Sequence, residues 1–242
     1  MLISFTQTYG NDRKRLLDIY FRDKKLHEFK NLCDINFYSF HNSNDDIVNY
    51  FIDKNPVKNT QILRFNGISY TQCVKNLLQI LENLKCTHLF FIQDDAFSDD
   101  NDDINFEELV NYIKEQKNQF MLSFCAGYCM HLRIPKDNLK SLKTFNNFAI
   151  YENNCMNYEH IYNMDDSSYI ASIDIVKQVY DKAYFMYNDI WNAEGYLNRR
   201  FKTESMPRNM SSRHLFKPYN IIGRNAWNPQ ASENELRTKN LL

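Results

Sequence analysis

The sequence predicts one α/β domain built on a mostly parallel central sheet, with helices flanking both of its faces. Three observations lead there. Short apolar runs alternate with helix-period segments through the first half of the chain. The run Leu89-Phe90-Phe91-Ile92 is apolar at every position, as a central parallel strand covered on both sides must be. The third is size, since 242 residues with 43% apolar content can fill one large core.

Taken in order, residues 2–6 read as a first strand that ends in the polar turn Gln7-Thr8-Tyr9-Gly10. Beyond it Leu16, Leu17, Tyr20 and Phe21 share one helical face. Residues 36–40 form a second strand, after which Asp45 or Asp46 can cap a helix carrying Ile47, Tyr50 and Phe51. A third strand at 61–65 breaks at Asn66-Gly67, and Val74, Leu77, Leu78 and Leu81 continue as a helix. The fourth strand, 88–92, stops at acidic residues; a helix at 106–113 and a fifth strand at 120–124 follow. Later helices are expected at 173–180 and 190–201. The tail beyond Met206 contains Pro207, Pro218 and Pro229 and reads as an irregular segment wrapping the domain.

Composition narrows the function classes. Lysine plus arginine number 29 against 30 acids, so no global field draws the chain to nucleic acid or an anionic membrane. No apolar run approaches the roughly 20 residues that cross a bilayer. Met1–Phe5 is too short for a signal peptide, and the expected location is cytoplasmic. The six cysteines form no CxxC pair and read as reduced core thiols. The chain has neither GxGxxG after its first strand nor GxxxxGK[ST], which argues against dinucleotide oxidoreductases and P-loop NTPases.

The chemistry is concentrated at Gln93-Asp94-Asp95. In open α/β sheets ligands sit outside the carboxyl ends of the strands, where this triplet falls. Mg²⁺ and Mn²⁺ take one or two protein carboxylates and fill their shells with water and phosphate oxygens. Two adjacent carboxylates at a strand mouth repel unless a cation compensates. One can hold metal while the other meets a ribose hydroxyl. The later acids Asp99, Asp100, Asp102 and Asp103 read as a solvated loop or helix cap.

Strand–helix alternation from the first residues, followed by Phe-Phe-Ile-Gln-Asp-Asp-Ala-Phe, resembles the GT-A nucleotide-sugar glycosyltransferases and their DxD motif. Gln93 replaces the first acid. The resemblance spans roughly residues 1–217. It implies a single GT-A-like domain with a nucleotide-sugar-binding half at 1–125, an acceptor half at 126–205 and a C-terminal tail at 206–242. It further implies Asp95 as metal ligand for Mn²⁺ or Mg²⁺ and Asp94 on the donor. The donor is a nucleotide-diphosphate sugar, UDP-sugar foremost, and the acceptor a glycan or glycoprotein. Thr6, Gln7, Thr8 and Tyr9 are implied at the base and ribose, with Arg64 and Asn66 approaching the same pocket. Arg13 reaches a phosphate on this reading, or is a solvated helix charge on the plainer one.

The region from Ser168-Tyr169-Ile170-Ala171 to Asp189-Ile190-Trp191 resembles the acceptor helix of such enzymes, with Asp189 as the general base of an inverting transfer. Asp165, Asp166 and Glu194 are substitutes, and a helix N-cap is the plainer reading of Asp189. Ser211-Ser212-Arg213-His214 resembles the tail element that supplies a metal-binding histidine, His214, and a phosphate contact, Arg213 or Lys217. An exposed histidine is the plainer reading there. Trp191 and Trp227 suit sugar stacking or burial in the core. Removing everything after Met206 is expected to weaken diphosphate binding while leaving the core folded.

Two rivals remain open. Asp94 or Asp95 with Glu115-Gln116-Lys117 imitates the acid plus ExK arrangement of metal-dependent nucleases, although that arrangement needs ExK on a strand. The loss of an acid at Gln93 also fits a non-catalytic nucleotide-sugar-binding module.

Overall fold

A computed structural model describes residues 1–68, 70–98, 104–117, 120–124, 141–145, 148–152, 168–178, 209–212, 216–219 and 229–242. The elements of the first half are β1 (Leu2–Tyr9), α1 (Lys14–Tyr20), α2 (Lys24–Asn31), β2 (Ile35–His41), α3 (Asp45–Lys54), β3 (Thr60–Phe65), α4 (Tyr70–Asn83), β4 (His88–Gln93), β5 (Ala96–Ser98) and α5 (Phe106–Glu115). There follow β6 (Met121–Ser123), β7 (Ser141–Phe145), β8 (Phe148–Glu152), β9 (Ser168–Ser172), β10 (Asn209–Ser212), β11 (Phe216–Pro218) and a C-terminal helix, Pro229–Thr238.

Nine strands make one sheet in the order β3-β2-β1-β4-β9-β6-β10-β8-β7, and β11 pairs with β5 in a second, two-stranded sheet. The pairs β3·β2, β2·β1 and β1·β4 are parallel. β9 then runs antiparallel between β4 and β6, so β4 is parallel on one side only. Alternation along the strands divides the apolar residues between two faces. Leu2, Tyr38, Phe40, Phe90 and Ile92 pack under α1, α2, α3 and α5 through Leu17, Phe29, Phe51 and Leu109. Ile3, Phe5, Phe37, Leu89 and Phe91 pack under α4 and the helical residues 173–178, through Leu77, Leu81 and Val176. The expected architecture is therefore the observed one. Cys33, Cys73 and Cys86 are buried free thiols, as expected.

Three details differ from the sequence reading. The helical stretch after β1 is two helices: the first ends at its C-cap Phe21, and the buried Asp23 caps the second, accepting from the Leu26 N–H at 3.0 Å. The same carboxylate accepts from the Ser98 N–H and hydroxyl at 2.8 and 2.6 Å, and so ties α2 to β5. The cap of α3 is Asn44, whose side chain accepts from the Ile47 N–H at 3.2 Å, while Asp45 and Asp46 lie in the first turn. Asn44→Ala should therefore cost about 1 kcal/mol in urea denaturation. Asp45→Ala should cost less than half of that, since its ion pair with Arg64 is exposed. Equal losses would transfer the cap to Asp45.

The third difference is the tail. It was expected to be irregular, yet β10 lies inside the main sheet, parallel to β6 and antiparallel to β8. The prolines do not oppose this. Pro229 is the first residue of the C-terminal helix, where a missing N–H is harmless, and Pro218 ends β11. Phe216, Tyr219 and Leu236 are buried members of the main core.

Candidate functional site

Because β1 and β4 are parallel neighbours, their carboxyl ends meet at one edge of the sheet. β1 runs to Tyr9, so Gln7 and Thr8 belong to the strand rather than to a turn. Gly10 follows at φ 86°, a conformation that favours glycine, and its N–H donates to the His41 carbonyl at 2.8 Å. This reversal brings Arg13 and α1 back over the strand end.

Thr8 and Asp94 are joined directly there, the Thr8 hydroxyl donating to Asp94 Oδ2. The Asp94 N–H donates to the Gln7 carbonyl at 3.1 Å, fixing the turn to β1. Arg13 Nε donates to the Tyr9 carbonyl at 2.8 Å and stands 3.7 Å from Asp94 Oδ2. The Arg13 and Asp94 side chains are only 19% and 9% exposed. Burial pushes the Asp94 carboxyl above its ordinary range, opposed by Arg13 and the Thr8 hydroxyl. Arg13 is thus neither a solvated helix charge nor remote from the acids. It is the cation that compensates one member of the acidic pair.

Asp95 is half-buried, with Oδ1 shielded from solvent, and its carbonyl accepts from the Tyr219 N–H at 2.9 Å. Its carboxylate is the donor type that Mg²⁺ and Mn²⁺ prefer. Among the described residues no group of three His, Cys, Asp or Glu side chains could hold a metal ion. A single carboxylate of this kind is compatible in chemistry with an ion that completes its shell from phosphate and water.

The other predicted residues are distributed around this edge. Thr6 faces inward and accepts from Lys30 Nζ. Tyr9 is 57% exposed, its hydroxyl accepting from Asn42 Nδ2 at 3.0 Å and its ring stacked on His41 at 6.3 Å. His41 is bound on its two ring nitrogens by Ser39 Oγ at 2.7 Å and Cys73 Sγ at 2.9 Å. Burial pushes the imidazole down to about 4, so the floor beneath Tyr9 is uncharged at neutral pH. Arg64 points to α3, donating to Asp45 at 2.5 Å and to the Ser43 carbonyl at 3.1 Å. Asn66 is exposed just beyond β3. Asp165, Asp166, Asp189, Trp191, Glu194, Arg213, His214 and Trp227 lie outside the described residues. Glu115 closes α5 and Gln116-Lys117 follow it, so no strand carries the ExK residues that a nuclease needs.

No protein-family model and no curated protein sequence matches the chain. Solved structures do. An apo UDP-glucose pyrophosphorylase matches with a TM-score of 0.52 and 10% identity over 99% of this chain and 100% of that one. A UTP-bound UGPase from Acinetobacter baumannii matches at 0.53 and 7% identity, over 100% of this chain and 94% of that one. The likeness is one of fold. The mixed α/β architecture, with its sheet between two helical layers, is thus shared with that UDP-glucose pyrophosphorylase.

One residue near this edge has no place in the sequence expectations. Lys30 left a signal nonetheless: it shares the α2 face of Leu26 and Phe29, at the spacing of apolar positions, and is 1% exposed. Arg13 was expected at a phosphate or in solvent, and its pairing with Asp94 has no local sequence signal.

Proposed function

We propose that the protein is a metal-dependent glycosyltransferase that moves a sugar from a nucleotide-diphosphate donor to a saccharide or protein-linked acceptor, with inversion. The observation that carries this reading is the joint end of β1 and β4. There Asp94 is tied to Thr8 and balanced by Arg13, and the half-buried carboxylate of Asp95 stands beside it at the same strand end, the donor type that a divalent cation prefers. The fold shared with a UDP-glucose pyrophosphorylase and a UTP-bound enzyme supports a uridine nucleotide. On this reading Asp95 and His214 hold Mn²⁺ or Mg²⁺, Arg213 counters the diphosphate, and Asp189 deprotonates the acceptor hydroxyl. A bound divalent ion supplies electrostatic stabilisation of the departing diphosphate. Gln7, Thr8, Tyr9 and Asn66 lie along the edge that receives the nucleoside. Arg64 acts there only if it leaves Asp45.

Nucleotidyl transfer, in which a sugar phosphate attacks a nucleoside triphosphate and releases pyrophosphate, is the second reading, favoured by the same solved structures. The loop after β1 weighs against it. Gly10 is the only glycine between β1 and α1, whereas phosphate cradles rely on glycine-rich turns that let successive N–H groups converge.

A thermal-shift panel of UDP-, GDP-, CMP- and dTDP-sugars with and without Mn²⁺, on the wild type and Asp95→Ala, tests the donor site. One nucleotide should stabilise the wild type only with metal, by about 3 kcal/mol at a hundredfold excess over Kd, and not the variant. Product analysis then separates the readings. UDP released with a glycosylated acceptor supports glycosyl transfer, UTP formed on adding pyrophosphate supports nucleotidyl transfer, and binding without either leaves a binding module. No shift with any nucleotide sinks the proposal.

A further inference from the structure

The C-terminal helix touches both halves of the site edge. On one side Arg15, two residues beyond Arg13, pairs with Glu233 at 2.8 Å. That contact holds the Glu233 carboxyl below its usual range, chiefly through the hydrogen bond from Arg15. On the other side the two-stranded sheet pairs Phe216 with Ser98, Lys217 with Phe97 and Pro218 with Ala96. The Tyr219 N–H then extends the ladder by one bond, to the carbonyl of Asp95 itself.

Tyr219 is fixed in turn by the helix. Its hydroxyl accepts from Lys239 Nζ at 2.7 Å, and its ring lies 5.9 Å from that of Phe97. Lys239 also pairs with Glu235 at 3.2 Å, and its own side chain is only 6% exposed against 37% for that of Glu235. Leu236, fully buried, anchors the helix between these two contacts. The helix thus bridges α1 and the segment that pairs with the turn after β4.

We infer that the C-terminal helix sets the position of the Asp94-Asp95 turn, with Lys239 and Tyr219 as positioning residues for the Asp95 carboxylate. Lys239 holds the Tyr219 ring, the ring and ladder hold the Asp95 carbonyl, and the carboxylate is placed two bonds from that backbone. Neither residue is assigned any contact with a ligand. The link to metal binding rests on the function proposed above; the mechanical link to the turn does not.

Hydrogen exchange on the full chain tests the mechanical link without any ligand. Lys239→Met should speed exchange of the 94–98 amides about tenfold, because local opening is governed by the contacts that close it. Lys239→Arg should restore protection. Tyr219→Phe keeps the ring, removes only the hydroxyl, and should move exchange in the same direction. Leu81→Ala, a core truncation on the opposite face of the sheet, serves as the stability control and should leave local exchange at 94–98 unchanged.

In a second arm, Mn²⁺ affinity in the presence of UDP should fall about tenfold in Lys239→Met and recover in Lys239→Arg. Native protection at 94–98 in both Lys239→Met and Tyr219→Phe, or equal loss in Leu81→Ala, overturns the inference. A wild type that binds no Mn²⁺ with UDP removes the proposed function and leaves the exchange result to decide the positioning role.

Discussion

A chain ended at Met206 should fail to fold cooperatively. The cut removes β10, which is bonded on both sides in the main sheet, to β6 and β8. It also removes Phe216, whose ring packs against Phe29, Phe90 and Phe124 at centroid distances of 5.5, 5.4 and 5.7 Å. Truncating one such buried phenylalanine to alanine costs about 3–5 kcal/mol. A domain has only about 5–15 kcal/mol in total. Loss of Phe216, Tyr219 and Leu236 together with a sheet strand therefore exceeds what the remainder can absorb. The truncated chain should show no sharp thermal transition and should aggregate, and Phe216→Ala alone should lower the denaturation midpoint markedly. A sharp melt near the wild-type temperature for residues 1–206 would make the tail a detachable arm, as its prolines suggested.

The second large effect is a pH dependence from Lys30. Its ammonium is 1% exposed, donates to the Thr6 hydroxyl, and lies 5.1 and 5.6 Å from the Tyr20 and Tyr38 ring centroids. Asp23, Cys33 and His27 on and beside α2 are the other titratable groups that act with it. Burial, opposed by Cys33 and Asp23, pushes the amine down from 10.5 to about 7. The unfolded chain thus binds a proton that the folded chain releases between pH 7 and 10.5, and in that window stability rises with pH. The slope is at most about 1.4 kcal/mol per pH unit, or up to about 3 kcal/mol from pH 7 to 9.

Above about pH 9 buried acids act in the opposite sense. Burial pushes Cys33 up to about 12 and Cys86 to about 11, so the unfolded thiols lose protons that the folded ones keep, and stability falls. Urea titrations at pH 6, 7, 8 and 9 should show the rise in the wild type and its loss in Lys30→Met. A methionine variant with the wild-type slope would assign the effect elsewhere. The functional reach of this lysine is short, since Thr6 lies two residues before Thr8, which holds Asp94.

Much of the sheet was legible because its signal is local. β1 to β4 are runs whose side chains pack on both faces, and α3, α4 and α5 repeat apolar residues at helical spacing. The site edge was legible for the same reason, because Gln93-Asp94-Asp95 interrupts the most apolar run in the chain. The Thr8 contact was not, since a strand cannot announce which neighbour it will lie beside. Asn44 was passed over as a cap because Asp45 and Asp46 are equally good cap types and only backbone geometry chooses among them.

By itself the sequence determined the fold class, the chain positions of β1 to β4 and the location of the acidic pair. Each of these follows from residues close in the chain, whose alternation or spacing carries the information. Tertiary structure alone decided that β9 enters antiparallel between β4 and β6, that β10 joins the sheet from the far end of the chain, and that Arg13 neutralises Asp94. Strands of four or five residues, such as β9 and β10, are too short to show a period. Their place is set by backbone hydrogen bonds to distant partners, and a backbone N–H is the same at every position where one exists.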